Sequence, residues 1–217
     1  IFDGLTEEER RLCLARATVV TARKGHWLAR QGEPASTFYL VDTGALKIVQ
    51  GTPEGQELIV RFVGPGEPFG GVVVLEQAPY PVSARAVDTS RLYAWPAAAM
   101  RVMLERFPRV SVNVMREMAS HMTDALTRVR EMTTQRVGQR LAMTLVRLAR
   151  QCGRPTDAGV LITHPLTRQE LADLTGTTLY TVSRTLSQWE ADGVLQSRHR
   201  HLTILSPHRL AALADMK

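Results

Sequence analysis

The spacing of apolar residues changes character twice along the chain. From Ala22 to about Tyr93 they come in short β-branched and aromatic runs: Phe38–Val41, Leu46–Val49, Leu58–Val63 and Val72–Leu75. Turn formers separate these runs at Gly25, Gly32-Glu33-Pro34, Thr43-Gly44, Gly51–Gly55 and Gly64-Pro65-Gly66. Short strands punctuated this regularly predict an antiparallel sandwich or small barrel. Thr6 with Glu9 three residues later is a capping-box pattern ahead of Leu12, Leu14 and Ala17, so a short helix should precede the strands.

After Pro108 the period becomes helical. Met115, Met118, Met122, Ala125, Val129 and Met132 recur at alternating spacings of three and four, the seam of a coiled coil. A continuous helix over 108–137 would be about 45 Å long, more than a domain of this size can hide. The seam therefore predicts a dimer interface, in preference to an amphipathic helix lying on the β domain. His121 beside it reads as a polar flank.

A second helical segment runs from Gln139 to Arg150 and stops near Gly153-Arg154-Pro155. Thr167-Arg168-Gln169-Glu170 is another capping box, opening a helix through Leu171, Ala172 and Leu174. Gly176 supplies a tight turn, and a new helix from Thr178 to Asp192 stops at Gly193. This is helix, turn, helix, with small Ala172 where two steeply crossing helices need room. Val194–Gln196 and Leu202–Leu205 then flank Ser197–His201, a hairpin with a basic tip, and Ser206-Pro207 starts a last short helix. The expected architecture is α+β: an antiparallel β-roll over 1–107, a dimerisation helix over 108–137, and a winged helix-turn-helix over 138–217.

Composition limits the function classes. The 217 residues carry 44% hydrophobic and 22% charged positions, ordinary for a folded soluble protein. Cys13 and Cys152, far apart, form neither a disulfide framework nor a zinc cluster, so a cytoplasmic location is expected. No window reaches the run of about 18 apolar residues that a spanning helix needs, and no membrane role is expected. The chain opens at Ile1 rather than methionine, which leaves room for a leading tail. The net charge of +6 is unevenly placed: residues 1–107 balance, 108–137 carry +2 and 138–217 carry +4. That asymmetry suggests a polyanionic partner for the C-terminal end, although ordinary surface charge would look the same.

The second helix of the helix-turn-helix can read a major groove. Val182, Leu186 and Trp189 form its apolar side, while Tyr180, Ser183, Arg184, Ser187 and Gln188 point away. Arg184 offers a bidentate fork to guanine and Ser183 a small donor or acceptor. Leu179 is ambiguous, buried by periodicity or at the groove, where it would touch a thymine methyl. Thr178 and Thr181, the preceding helix start Thr167, Arg168 and Gln169, and the hairpin's Arg198, His199 and Arg200 are the candidate phosphate contacts. His199 and His201, two apart on a strand, would share a face as metal ligands do, but no third ligand lies nearby and no metal is expected. No catalytic motif is found, and Gly66, Gly70 and Gly71 do not match a dinucleotide fingerprint. A protein-docking module without DNA binding is the alternative, and a cupin-type enzyme a distant third.

Over essentially its full length the chain resembles the Crp/Fnr superfamily of bacterial transcription regulators. The resemblance rests on Gly25–Trp27, Gln31-Gly32-Glu33, Phe38–Val41 with Gly44, Gly55 with Glu57, Pro65–Gly70, the long helix and Thr167–Leu186. It implies a homodimer with an effector-sensing β-roll, a palindromic operator in double-stranded DNA, and influence on RNA polymerase.

The departures matter as much. The resemblance puts an effector pocket at Gly70, Gly71, Val72, Val82, Ser83, His121, Ala125 and Leu126. Val72 and Val82 stand where cyclic-AMP-binding members have a glutamate and an arginine, and Ala125 and Leu126 stand for the hydroxyl pair that touches the purine. Valine does not replace a bidentate charged contact, so cyclic AMP is disfavoured. An iron-sulfur cluster lacks its roll cysteine. Haem through His26, an apolar small molecule, or no effector remain open. In the recognition helix Tyr180 replaces a glutamate that accepts from cytosine, so the neighbouring base preference should differ from the family's common half-sites.

Overall fold

A computed structural model describes residues 1–52, 57–71 and 78–215. The first capping box forms: Thr6 Oγ1 accepts the Glu9 amide at 3.2 Å and the Glu9 carboxylate accepts the Thr6 amide at 2.8 Å, starting α1 (Glu7–Leu14). Eight strands follow: β1 (Thr18–Ala22), β2 (Trp27–Ala29), β3 (Thr37–Thr43), β4 (Leu46–Gly51), β5 (Glu57–Val63), β6 (Pro68–Phe69), β7 (Ser83–Ala86) and β8 (Ser90–Pro96). They pair antiparallel in two four-stranded sheets, ordered β1-β8-β3-β6 and β2-β7-β4-β5. The β region thus begins earlier and ends later than the apolar runs suggest. The expected strand Val72–Leu75 lies outside the described residues.

Among the described residues of this unit, two apolar clusters are buried. Val41, Leu46, Ile48, Val63, Phe69, Ala84 and Leu92 form one cluster contributed by strands of both sheets. Phe38, Leu40 and Trp95 form the other with Met100 and Met103 of α2 (Ala97–Arg106) and Val110 and Val114 of α3 (Pro108–Thr134). Trp95 is fully buried there and donates its indole N–H to the Cys13 carbonyl at 2.9 Å, so its one polar group is satisfied. Gly44 turns β3 into β4 at φ +82°, where a Cβ would lie 2.7 Å from the Ser90 backbone, so the position needs glycine on both counts. The helix α2 is not anticipated by the sequence reading: Pro96 marks the break from β8, but no side chain caps the helix that follows it.

The chain divides into two compact units, Ile1–Ala125 and Leu126–Lys217, with the division inside α3. In the second unit α4 (Val137–Cys152) buries Leu141, Leu145 and Leu148. The sheet β9 (Gly153–Thr156), β10 (Gly159–Ile162), β11 (Leu195–Arg198) and β12 (His201–Ile204) has the order β11-β12-β10-β9. Between β10 and β11 lie α5 (Arg168–Thr175) and α6 (Leu179–Ala191), and α7 (Pro207–Asp215) closes the unit. The hairpin β9–β10 is a second element absent from the sequence reading. Pro155 lacks an N–H for a ladder, yet β9 is the sheet's edge, where proline is tolerated.

Candidate functional site

The helix-turn-helix is built from local signals that agree. Thr167 accepts the Glu170 amide at 3.1 Å while the Glu170 carboxylate accepts the Thr167 amide at 2.8 Å. α5 ends at Gly176 with φ +59°, ψ +48°, a left-handed cap, and Thr178 then caps α6 by accepting the Thr181 amide at 3.2 Å. One long-range contact is invisible in the motif. Arg140 of α4 donates from Nε to the Thr175 carbonyl at 2.9 Å and from Nη2 to the Gly176 carbonyl at 3.2 Å. A cation on the orphan carbonyls at a helix end is favourable electrostatically and fixes the turn. Arg140→Ala is expected to cost the C-terminal unit about 1.5–3 kcal/mol, the worth of hydrogen bonds from a charged donor. Thermal or urea unfolding of the purified variant measures it, and an unchanged midpoint would refute this role.

Val182, Leu186 and Trp189 are buried on one side of α6, worth about 1.5–3 kcal/mol each for the larger side chains. The opposite side carries Tyr180 at 74% exposure, Leu179 at 47%, and exposed Arg184, Ser187 and Gln188, with Ser183 half-buried between them. The ambiguity at Leu179 is resolved in favour of the outward face. Arg184 has no hydrogen-bond or ion-pair partner among the described residues.

The hairpin tip is tighter than Ser197–His201. β11 and β12 are joined by His199 and Arg200 alone, at φ +49° and +69°, the two positive angles that a two-residue turn matched to strand twist requires. The Arg200 carbonyl accepts the Leu166 amide at 2.7 Å, which ties this wing to the segment opening α5. His199 therefore sits in the turn and only His201 in the strand, so the shared strand face expected for a metal pair does not exist. Among the described residues no three His, Cys, Asp or Glu side chains gather as a metal group. The Thr167 hydroxyl donates to Glu170 at 3.1 Å and the Gln169 amide donates to Asp173 at 2.8 Å, so both are engaged, while the hydroxyls of Thr178 and half-buried Thr181 bond each other at 3.0 Å, which leaves one of their two protons for a phosphate. Arg168 is half-buried, while Thr178, Arg198, His199 and Arg200 are exposed.

The seam residues of α3 lie along one exposed stripe: Met115, Met122 at 66%, Ala125, Val129 at 60% and Met132, with Met118 less exposed.

A cavity of about 370 Å³ opens within the N-terminal unit, walled largely by apolar side chains such as Phe38, Ile48, Phe69, Val114 and Met118. Of the residues assigned to a pocket from the sequence, Gly70, Gly71, Val82 and His121 line it. Val72 lies outside the described residues. Ser83 is not on the wall, its hydroxyl accepting the Gln31 amide at 2.9 Å. Ala125 and Leu126 are exposed on α3, off the wall, because one turn of helix beyond His121 carries them past it. His26 is exposed in the turn between β1 and β2 and off the wall, so it does not present a haem ligand to this cavity.

Arg61 lines the cavity and was not among the expected residues. It stands in an apolar run that regular alternation would carry past it. The pairing of β4 with β5 shifts here: Ile48 opposes Arg61 and Val49 opposes Ile59, leaving Val60 as the extra residue of a bulge. Both Val60 and Arg61 line the cavity. Arg61 Nη1 donates to His121 Nε2 at 2.6 Å, and Nη2 reaches the Pro68 carbonyl at 3.4 Å. Burial lowers the pKa of Arg61. Burial, and then the neighbouring Arg61 charge, lower that of His121, while Glu117, 3.7 Å from His121, acts the other way.

A family model for the cyclic nucleotide-binding domain matches residues 19–107, and one for the Crp-like helix-turn-helix domain matches 139–213. The chain is 25% identical over 214 residues to the CRP-like cAMP-activated global transcriptional regulator of Mycobacterium tuberculosis, covering 99% of this chain and 96% of that protein. It is 28% identical over 192 residues to the transcriptional activator protein anr of Pseudomonas aeruginosa, covering 88% and 78%. FixK2 from Bradyrhizobium japonicum has a similar structure, with TM-score 0.79 at 25% identity over 93% of this chain and 98% of the other.

A β-roll followed by a winged helix-turn-helix, with both domain models matched in that order, defines a DNA-binding transcription regulator. The chain belongs to the Crp/Fnr family. The described wall does not fit the cyclic nucleotide that the first domain model brings to mind. Val82 places no charge where the resemblance implies an arginine, Ser83 is off the wall, and the guanidinium present comes instead from β5.

Proposed function

We propose that this regulator works as a homodimer in the cytoplasm. Two copies pair along the α3 stripe and place two α6 helices in successive major grooves of a palindromic operator, about 34 Å apart. Arg184 reads guanine, with Leu179, Tyr180 and Ser183 reading the neighbouring bases. Thr178, Thr181, Arg168 and the wing residues Arg198, His199 and Arg200 hold phosphates, with Thr167 and Gln169 contributing only through the helix start they stabilise. An effector other than cyclic AMP acts through the N-terminal cavity. Met118 offers a route, since it lines the cavity and belongs to the seam repeat. Contact with RNA polymerase follows from the family.

The observation that carries this reading is the outward face of α6, where Arg184 stands exposed with no partner of its own among the described residues. No helix among the described residues is long and apolar enough to cross a membrane. Selection of bound duplexes from a random library tests it. Palindromic sequences with an invariant G·C pair in each half, bound with a steep inverse dependence on salt, are expected. Recovery of duplexes with no shared sequence would overturn it, and leave a protein-docking role for the C-terminal unit.

A further inference from the structure

We infer that the cavity of the N-terminal unit takes a small organic monocarboxylate with a single apolar body, its carboxylate seated on Arg61 beside His121. This deepens the effector control proposed above.

A guanidinium inside an apolar cavity needs a counter-charge, because burying an unpaired charge is costly. No carboxylate among the described residues lies within ion-pair distance of Arg61, and Glu67, Glu117 and Asp124 act on its charge only from farther off. Its hydrogen bonds to His121 and, at the long distance of 3.4 Å, to the Pro68 carbonyl leave most of its five donors unused among those residues. Their fork geometry matches a carboxylate. His121 accepts from Arg61 through Nε2, so its proton resides on Nδ1 and the ring stays neutral beside the cation.

The remaining walls specify the rest of the ligand. Phe69 and Tyr80 stack at 5.7 Å with planes 17° apart. The Tyr80 hydroxyl is already committed, donating to the Thr37 carbonyl at 2.9 Å and accepting its amide at 3.3 Å. The polar groups that stay available, Arg61, Glu117 and His121, are thus neighbours, and a bound molecule meets apolar surface elsewhere on the described wall. Glu117, on the same wall, already offsets part of the Arg61 charge, so the site has room for one negative charge and disfavours two, which selects a monoanion. A cyclic nucleotide carries hydroxyls and ring nitrogens along its length, and the described apolar wall would leave them unpaired. At about 370 Å³ the cavity falls within the range of small-ligand sites.

Calorimetric titration of the full chain without DNA tests this, with 2-naphthoate and octanoate as anionic probes, 2-naphthamide as the uncharged counterpart of the first, and cyclic AMP. Naphthoate is expected to bind at one site per chain, about 10- to 100-fold more tightly than the amide. Arg61→Met should remove that difference by weakening naphthoate while leaving the amide within about 2-fold, and Arg61→Lys should recover part of it. Circular dichroism confirms that the variants are folded, and if Arg61→Met is not, Arg61→Lys alone carries the comparison. Equal binding of acid and amide, absence of heat from both anions, or naphthoate affinity unchanged by either substitution would overturn the inference. Cyclic AMP bound more tightly than both anions through Arg61 would overturn it in favour of a nucleotide. The titration contains no DNA and the library selection no ligand, so either can fail without the other.

Discussion

Replacing Arg184 with alanine removes most of the affinity for the preferred operator while leaving the C-terminal unit folded. The side chain is exposed on the outward face of α6 and supports nothing among the described residues, so its loss leaves Val182, Leu186 and Trp189 packed as before. A bidentate contact to guanine is worth about 1–3 kcal/mol of discrimination. A dimer loses two of them, so the selected duplex should bind about 30-fold to about 20,000-fold more weakly. Random-sequence duplex loses only the phosphate attraction of one cation per copy, so the gap between specific and non-specific binding closes. Arg184→Lys separates the two contributions: the point charge keeps non-specific affinity, but the lost fork leaves the specific contact unrecovered. Fluorescence anisotropy on labelled duplexes at fixed salt reads both, and equal weakening on selected and random duplexes would take the base-reading role away from Arg184.

What the sequence discloses follows from how local each determinant is. Thr167 and Glu170, Gly176, and the apolar triplet of α6 act within a few residues, so the helix-turn-helix can be read directly from their spacing. The wing tip is nearly as legible, and only its tightness, two residues with positive φ, had to come from coordinates. Arg140 is different. Its partners lie 35 and 36 residues away, and nothing in the α4 pattern separates it from that helix's other arginines.

The cavity marks the sharper limit. Arg61 sits in a run whose period assigns it no special place, and only the bulge at Val60 brings both neighbours to the cavity wall. Resemblance points to Ala125 and Leu126 instead. In this chain they are exposed, and Leu126, one position beyond the seam residue Ala125, widens the apolar stripe. The edge strand β9 was hidden by Pro155, and α2 by the lack of a side-chain cap after Pro96.

Glutamate at Met122 together with glutamate at Val129 converts the protein to monomers. Both positions lie on the exposed α3 stripe at two-thirds of full exposure or a little less, and Val129 follows Met122 by one heptad. A single chain tolerates the change because these side chains already face solvent. In a symmetric pair the substitutions set four carboxylates into one apolar seam, where like charges brought together cost several kcal/mol. The dimer dissociation constant should rise by about 1,000-fold or more. Operator binding should fall with it, since a second recognition helix held on the same molecule contributes about 100- to 10,000-fold in avidity. Ser120→Glu together with Thr123→Glu is the matched control: the same added charge, beside Met122, on exposed positions off the stripe. Sedimentation equilibrium distinguishes the outcomes, with the double variant monomeric and the control dimeric. A wild-type protein already monomeric at micromolar concentration, or a double variant that still pairs, would remove the stripe from the dimer and require the two recognition helices to be held together by some other surface.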